Sequence, residues 1–232
     1  MSSALAIAGV TYLLRDLLND GLINHALDSN VRVSARPPLR DFSTTTSEQS
    51  QLNVFLYQVS PNLGWRNLGL PSRDSNGTRV ANPPLALDLH YLVTAYDDRD
   101  FHAEVLLGYA MQLLHENPGL SRDQINKSLK SDLPDILGST VQLPADLKLL
   151  TQTDLASQFE SLKITPHYLS TEEMSKLWTG LQAPYRPSMT YQVSVVLIES
   201  DRPARTPPPV RVRNLQAVPL AAPFLEDLTP LR

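Results

Sequence analysis

The sequence predicts an α/β (α+β) domain over residues 1–200, a mixed, largely antiparallel sheet flanked by helices, followed over residues 201–232 by an extended proline-rich C-terminal arm. Three observations predict it. Runs with strand-type alternation occur at Leu85–Val93 and Tyr191–Leu197. Leucine-rich stretches with helical spacing, bounded by caps and breakers, lie before and between them. Beyond Ser200, seven prolines, including Pro207-Pro208-Pro209, leave no gap for a helix and deny most ladder hydrogen bonds.

Taken in order, Leu13, Leu14, Leu17 and Leu18 recur at helical spacing with polar residues between them, and Gly21 is the expected stop of that first helix. Val31-Arg32-Val33 alternates as a short strand before Pro37-Pro38, and Ser43–Ser47 is read as exposed loop. Leu52–Val59 is rich in strand formers with apolar residues at both parities, which predicts a central strand covered on both faces. From Pro61 to Pro84 the turn residues predict a long exposed connection with a hairpin at Asn76-Gly77. In Leu85–Thr94, Leu85, Leu87, Leu89, Tyr91 and Val93 alternate as a core face with Ala86, Asp88, His90, Leu92 and Thr94 on a mixed one, and the face that carries Asp88 and His90 is expected to turn to water or to a neighbouring subunit.

After the polar turn Asp97–Asp100, Val105, Leu106, Tyr109, Leu113 and Leu114 predict a helix that ends at Asn117-Pro118-Gly119. Ser121 with Gln124 suggests a capped helix to Lys130, and short helical pieces are expected around Leu147–Phe159. Leu162-Lys163-Ile164 reads as a short strand stopped by Pro166. Ser170 with Glu173 is a capping box for a helix carrying Met174, Leu177, Trp178 and Leu181, closed by Pro184.

Composition limits the chemistry. A chain of 232 residues, 42% apolar and 19% charged, can bury a core of its own. Without cysteine there is no disulfide, thiolate nucleophile or sulfur-ligated metal. Twenty basic against 24 acidic residues give a net charge of -4, which argues against a nucleic-acid-binding surface. Residues 1–200 carry 15 basic and 21 acidic side chains, whereas residues 201–232 carry 5 arginines and 3 acids, so a weakly cationic arm follows an acidic body. The apolar opening Ala4–Val10 lacks the basic residue that precedes a signal peptide, and no apolar run approaches the roughly 20 residues that span a bilayer. The protein is therefore expected to be made and kept soluble in the cytoplasm, without direct membrane insertion.

No Gly-rich phosphate loop, nucleophile elbow or zinc-protease helix occurs, and the five histidines share no metal-ligand spacing, so neither a cofactor nor a metal is expected. Asp88 and His90 share a strand face, which a hydrolase could complete with a serine. Asp97, Asp98 and Asp100 lack the glycine and closing glutamate of a calcium loop, and read instead as a solvated turn. Arg122, Lys127 and Lys130 could reach phosphates from one helix, against which stands the acidic body. Interface-type residues are a further signal: Trp65 and Arg66 in a loop, and Tyr185 and Arg186 after the Trp178 helix. In the arm, Arg211, Arg213 and Phe224 belong with them, since its apolar residues are too many for a solvated linker.

Four stretches carry a resemblance. They are Gln51–Asn62 with Trp65-Arg66-Asn67, Pro84–Tyr96, His102–Met111 with Leu114-His115, and Leu177-Trp178 with Pro184–Ser188 running into Tyr191–Val195. Together they resemble the cap (tail-terminator) proteins of extracellular contractile injection systems, the relatives of virulence-cassette and antifeeding-prophage particles. That resemblance spans roughly residues 5–200. It implies a structural, non-enzymatic subunit that forms a six-fold ring on the distal end of a phage-tail-like particle, against the last tube and sheath layers, and terminates tail polymerisation. The particle so capped would be released or membrane-associated. A baseplate or adaptor subunit of the same kind of particle is the alternative, with a hydrolase behind it. A departure from the resemblance is expected in the short proline-rich arm, which is read as too short for a further globular module.

Overall fold

The computed structural model describes residues 4–24, 31–38, 50–66, 72, 74–75, 80–130, 154–158, 160–200 and 202–203. Within them six strands, β1 (Arg32–Ser34), β2 (Gln51–Pro61), β3 (Leu85–Tyr96), β4 (Gly119–Leu120), β5 (Leu162–His167) and β6 (Ser188–Ile198), make one sheet in the order β1-β2-β3-β6-β5-β4. β1 runs parallel to β2, and the remaining pairs are antiparallel. The helices are α1 (Ala6–Asn24), α2 (Leu63–Arg66), α3 (His102–Glu116), α4 (Arg122–Lys130) and α5 (Thr171–Leu181), with a 3-10 turn at Leu155–Ser157. The mixed, largely antiparallel α+β architecture expected from the pattern is the one formed.

β3 and β6 sit at the centre, paired from Leu85 with Ile198 to Thr94 with Ser188. Leu87, Leu89, Tyr91, Val93 and Ala95 of β3 point into the main core, where they meet Val10, Leu14 and Leu18 of α1, Leu106, Ala110 and Leu114 of α3, and Ile125 and Leu129 of α4. Burial of each such large side chain contributes about 1.5–3 kcal/mol, which is why the amphipathic helices settle on this face. Thr11 of α1 donates to its own helix at the Ile7 carbonyl and lies 2.9 Å from the phenol of Tyr91, tying the first helix to the middle of the sheet.

Both capping boxes form. In α4, the Gln124 N–H donates to Ser121 Oγ at 3.2 Å and the Ser121 N–H donates to Gln124 Oε1 at 2.9 Å. In α5, the Glu173 N–H donates to Ser170 Oγ and the Ser170 N–H returns to Glu173 Oε2.

Several expectations are corrected. Gly21 does not stop α1; it lies inside the helix, and a Cβ there would collide with the Leu113 side chain, so its role is to let α1 approach α3. The apolar opening, not expected to be a signal peptide, supplies Ala6 and Val10 to the core without calling for a correction. β2 is not the central strand: it lies one place from the edge, and Gln58 and Val59 are exposed. On α3 the buried stripe is Leu106, Ala110 and Leu114, whereas Val105 and Tyr109 face outward. Pro166 does not end β5, which continues to His167 where β6 is its one ladder partner and a missing N–H is tolerated. The Asp97 turn is not fully solvated: Asp97 is buried and accepts from Ser50 Oγ and from the Arg99 backbone and guanidinium, while Asp98 and Asp100 are exposed. The Asn76-Gly77 hairpin and most of 147–159 lie outside the described residues, as do Arg211, Arg213 and Phe224.

Candidate interaction surface

The sheet face opposite the main core is polar and largely covered. Asp88, His90 and Thr94 of β3 lie on it with relative exposures of 9%, 8% and 0%, so the expectation that this face meets water is corrected. Ser60 Oγ lies 2.9 Å from His90 Nε2, and the ring of His167 on β5 stands edge-on to His90 with centroids 5.2 Å apart. Burial pushes the His90 imidazole below its ordinary value, the neighbouring His167 adds to this, and Asp88 opposes it.

A serine thus joins Asp88 and His90, as a hydrolase would need, but the third member is diverted. Asp88 Oδ1 accepts from Asn62 Nδ2 at 2.9 Å, and the buried His90 Nδ1 has no hydrogen-bond partner among the described residues to fix its tautomer. Among those residues the pair therefore lacks the carboxylate that orients a catalytic base. No group of three His, Asp or Glu among the described residues is placed to hold a metal.

Three exposed features lie around this frame. An open groove of about 590 Å³ runs between α5 and the start of β6, lined among others by His167, Tyr168, Met174, Trp178, Tyr185 and Thr190. Trp178 is buried in its wall, and the Tyr185 ring meets it edge-on at 5.9 Å while remaining 65% exposed. Tyr168 stands 82% exposed. A second hollow, of about 250 Å³, is lined by Arg15, Arg32, Arg36 and Tyr96, and the Arg186 guanidinium lies 5.6 Å from the centre of the Tyr96 ring. The third feature is the outward stripe of α3, where Phe101, Val105 and Tyr109 follow one another at four-residue spacing. Phe101 has φ 67°, a left-handed conformation costly for a bulky residue, and its ring is 78% exposed.

The residues singled out in the sequence divide among these features. Tyr185 and Arg186 are on the surface described, at the groove and over Tyr96. Trp65 is not in an unstructured loop: it lies in the single-turn helix α2, its N–H donates to Asn62 Oδ1 at 2.9 Å, and it packs on Ala86, Val195 and Leu197 of its own sheet. Arg66 belongs to the same turn. Sequence reasoning passed over Tyr168 and Phe101; the available signal was an aromatic residue isolated in a turn, between Pro166 and Ser170 and after the acidic Asp97–Asp100 run.

Residues 9–212 match the Pvc16 N-terminal domain family. The chain belongs to that family. Its Pvc16-type fold is similar to two solved structures. One is the PVC sheath/tube terminator of an extracellular contractile injection system in its extended state, with 15% identity over 88% of this chain and 63% of that one, and a TM-score of 0.49. The other is the anti-feeding prophage cap, a tube-terminating cap, with 15% identity over 87% of this chain and 59% of that one, and a TM-score of 0.50. This Pvc16-type chain therefore spans about six tenths of the length of the structures it matches. No curated protein sequence matches it.

Proposed function

We propose that this chain is a structural subunit that caps the distal end of a contractile, phage-tail-like injection particle, forming a ring on the last tube and sheath layers and ending tail polymerisation. The observation that carries the reading is the Pvc16 family match, which runs from the first turn of α1 past the end of β6 and so includes the whole sheet, α2 to α5 and most of α1. Aromatic residues held outward at the groove and on α3 agree with it, since such side chains are the usual anchors of protein interfaces. So does the Ser60–His90 pair, whose missing orienting group suits a packing role better than catalysis. Tube and sheath proteins are the partners expected, with a six-fold ring of this chain. No cofactor is needed. Assembly in the cytoplasm is consistent with the observation that no described helix is long and apolar enough to cross a membrane.

Deletion of the gene product followed by imaging of purified particles tests the reading. Absent, unstable or over-long particles are expected. Particles of normal length and stability without this protein overturn it. Light scattering on the purified chain, alone and with tube protein, tests the ring.

A further inference from the structure

We infer that the groove between α5 and β6 receives the Pro207-Pro208-Pro209 segment of a second copy of this chain, so that neighbouring copies are linked arm to groove. The inference concerns the chain by itself and stands whether or not the capping role holds.

Three features of the groove match three features of the segment. Its wall carries Trp178 and Tyr185, with Tyr168 beside them, and a proline-rich strand docks on such rings because its stiff extended helix loses little entropy on binding. Tyr185 and Tyr168, 65% and 82% exposed, carry hydroxyls that can donate to the carbonyls a three-proline stretch leaves without internal hydrogen bonds. Glu172, paired with Lys176 at 2.6 Å, and Glu173, which closes the α5 cap, stand exposed next to the groove-lining Thr171 and Met174, whereas Arg205, Arg211 and Arg213 flank the prolines. Opposite charges at the rim would fix the direction in which the segment lies.

Reach decides whose groove it is. The Arg202 carbonyl accepts from Asn82 Nδ2 at 2.6 Å, which ties the chain to the segment three residues ahead of Leu85, at the end of the ladder where Ile198 pairs with Leu85. Thr190, in the groove, pairs with Leu92 toward the opposite end. Eight residue steps along β6 separate Thr190 from Ile198, roughly 26 Å at the rise of a strand. From Pro203 to Pro209 even a fully extended chain covers at most about 22 Å. Pro207–Pro209 therefore falls short of its own groove, and a second copy must supply it.

The test uses the full chain. Sedimentation over a concentration series is compared for the native protein, for P207A/P208A/P209A, and for Y185A with Y168A, with circular dichroism as a check of folding. A synthetic peptide of residues 203–213 is titrated against the native protein and each variant. Self-association is expected to weaken about tenfold or more in both variants, with no further loss when they are combined, because they remove two sides of one contact. The peptide should dissociate native oligomers and bind the tyrosine variant about tenfold more weakly. Should the tyrosine variant misfold, the proline variant, which alters no residue of the groove, carries the test alone. A chain that associates equally well without the three prolines overturns the inference. So does a peptide that binds the native and tyrosine variants alike, or an arm that protects its own groove in a strictly monomeric chain.

Discussion

The Tyr91 hydroxyl donates to Thr11 Oγ1 across 2.9 Å, because the Thr11 proton is already committed to the Ile7 carbonyl one helical turn back. Direction matters for what each truncation leaves behind. Y91F leaves Thr11 still bonded within its helix and is expected to cost about 1 kcal/mol. T11V strands a hydroxyl in the core on a residue with 0% exposure, and is expected to cost about 1–3 kcal/mol. Urea unfolding of the two variants should give the larger loss for T11V; the reverse order would mean that the donor has been misassigned.

Asp97 joins the start of β2 to the β3–α3 turn through Ser50 and Arg99. Its hydrogen bonds from Arg99, followed by that from Ser50, hold the carboxyl far below the ordinary carboxylate value, outweighing the cost of burial. A depressed folded value means that the native state binds fewer protons than the unfolded chain. The contribution is therefore complete above the unfolded value of about 3.9 and is lost as pH falls below it. D97N should destabilise the protein by about 1–2 kcal/mol at neutral pH and flatten the acid limb of a stability–pH curve. An unchanged acid limb would show that this carboxylate is not what acid attacks.

His90 predicts a second pH dependence, at milder acidity. With its folded value depressed by burial and by His167, the unfolded chain takes up protons first as pH drops through about 6.5, so stability declines from there downward. Asp88, His167, Tyr57 and Glu173 surround or oppose that titration. H90F keeps an aromatic ring and removes the titrating group, so stability measured from pH 8 to 5 should slope less steeply than in the native protein, whatever the loss of the Ser60 contact does to its overall level. A hydrolytic turnover abolished by H90F would overturn the structural reading of the Ser60–His90 pair.

Among the described residues, truncation after Ser200 removes two exposed hydrogen bonds, from Asn82 to the Arg202 carbonyl and from the Arg202 N–H to Ser200 Oγ, together with the arm that follows. If the arm serves assembly, thermal unfolding of the monomer should shift by no more than about 4 °C, while ring formation or particle association weakens. A large fall in monomer melting with assembly intact would mean that the arm belongs to its own domain.

What could be read in the sequence was what local rules dictate. The Ser170–Glu173 and Ser121–Gln124 boxes announced their helices because the capping bonds close within four residues. Leu85–Val93 and Tyr191–Leu197 announced strands because their apolar residues alternate over many positions. What failed depended on partners distant in sequence. Gly21 passes for a stop until Leu113 of another helix is seen against it. The single turn at Leu63–Arg66 has no period to detect and leans on the Asn62 side chain and on the cluster under Trp65. His90 looked like a solvent-facing residue since nothing nearby in the chain says that His167 and Tyr57 will close over it. The strand order, with β6 beside β3, was likewise invisible. Of the candidate surface, Tyr185 and Arg186 were legible by residue type, whereas the groove itself exists only once α5 and β6 are folded together.

That central pairing also sets a timetable for the molecule's manufacture. Leu85 finds Ile198, and Thr94 finds Ser188, across roughly a hundred intervening residues, which is the kind of contact that forms slowly. On the ribosome β3 must wait, one edge paired to β2 and the other bare, until nearly all of the described chain has been synthesised. Trp178, Tyr185 and the strand that backs their groove are among the last of the described parts to emerge. If the groove docks a neighbour as proposed, a nascent or prematurely ended copy has no finished face to offer.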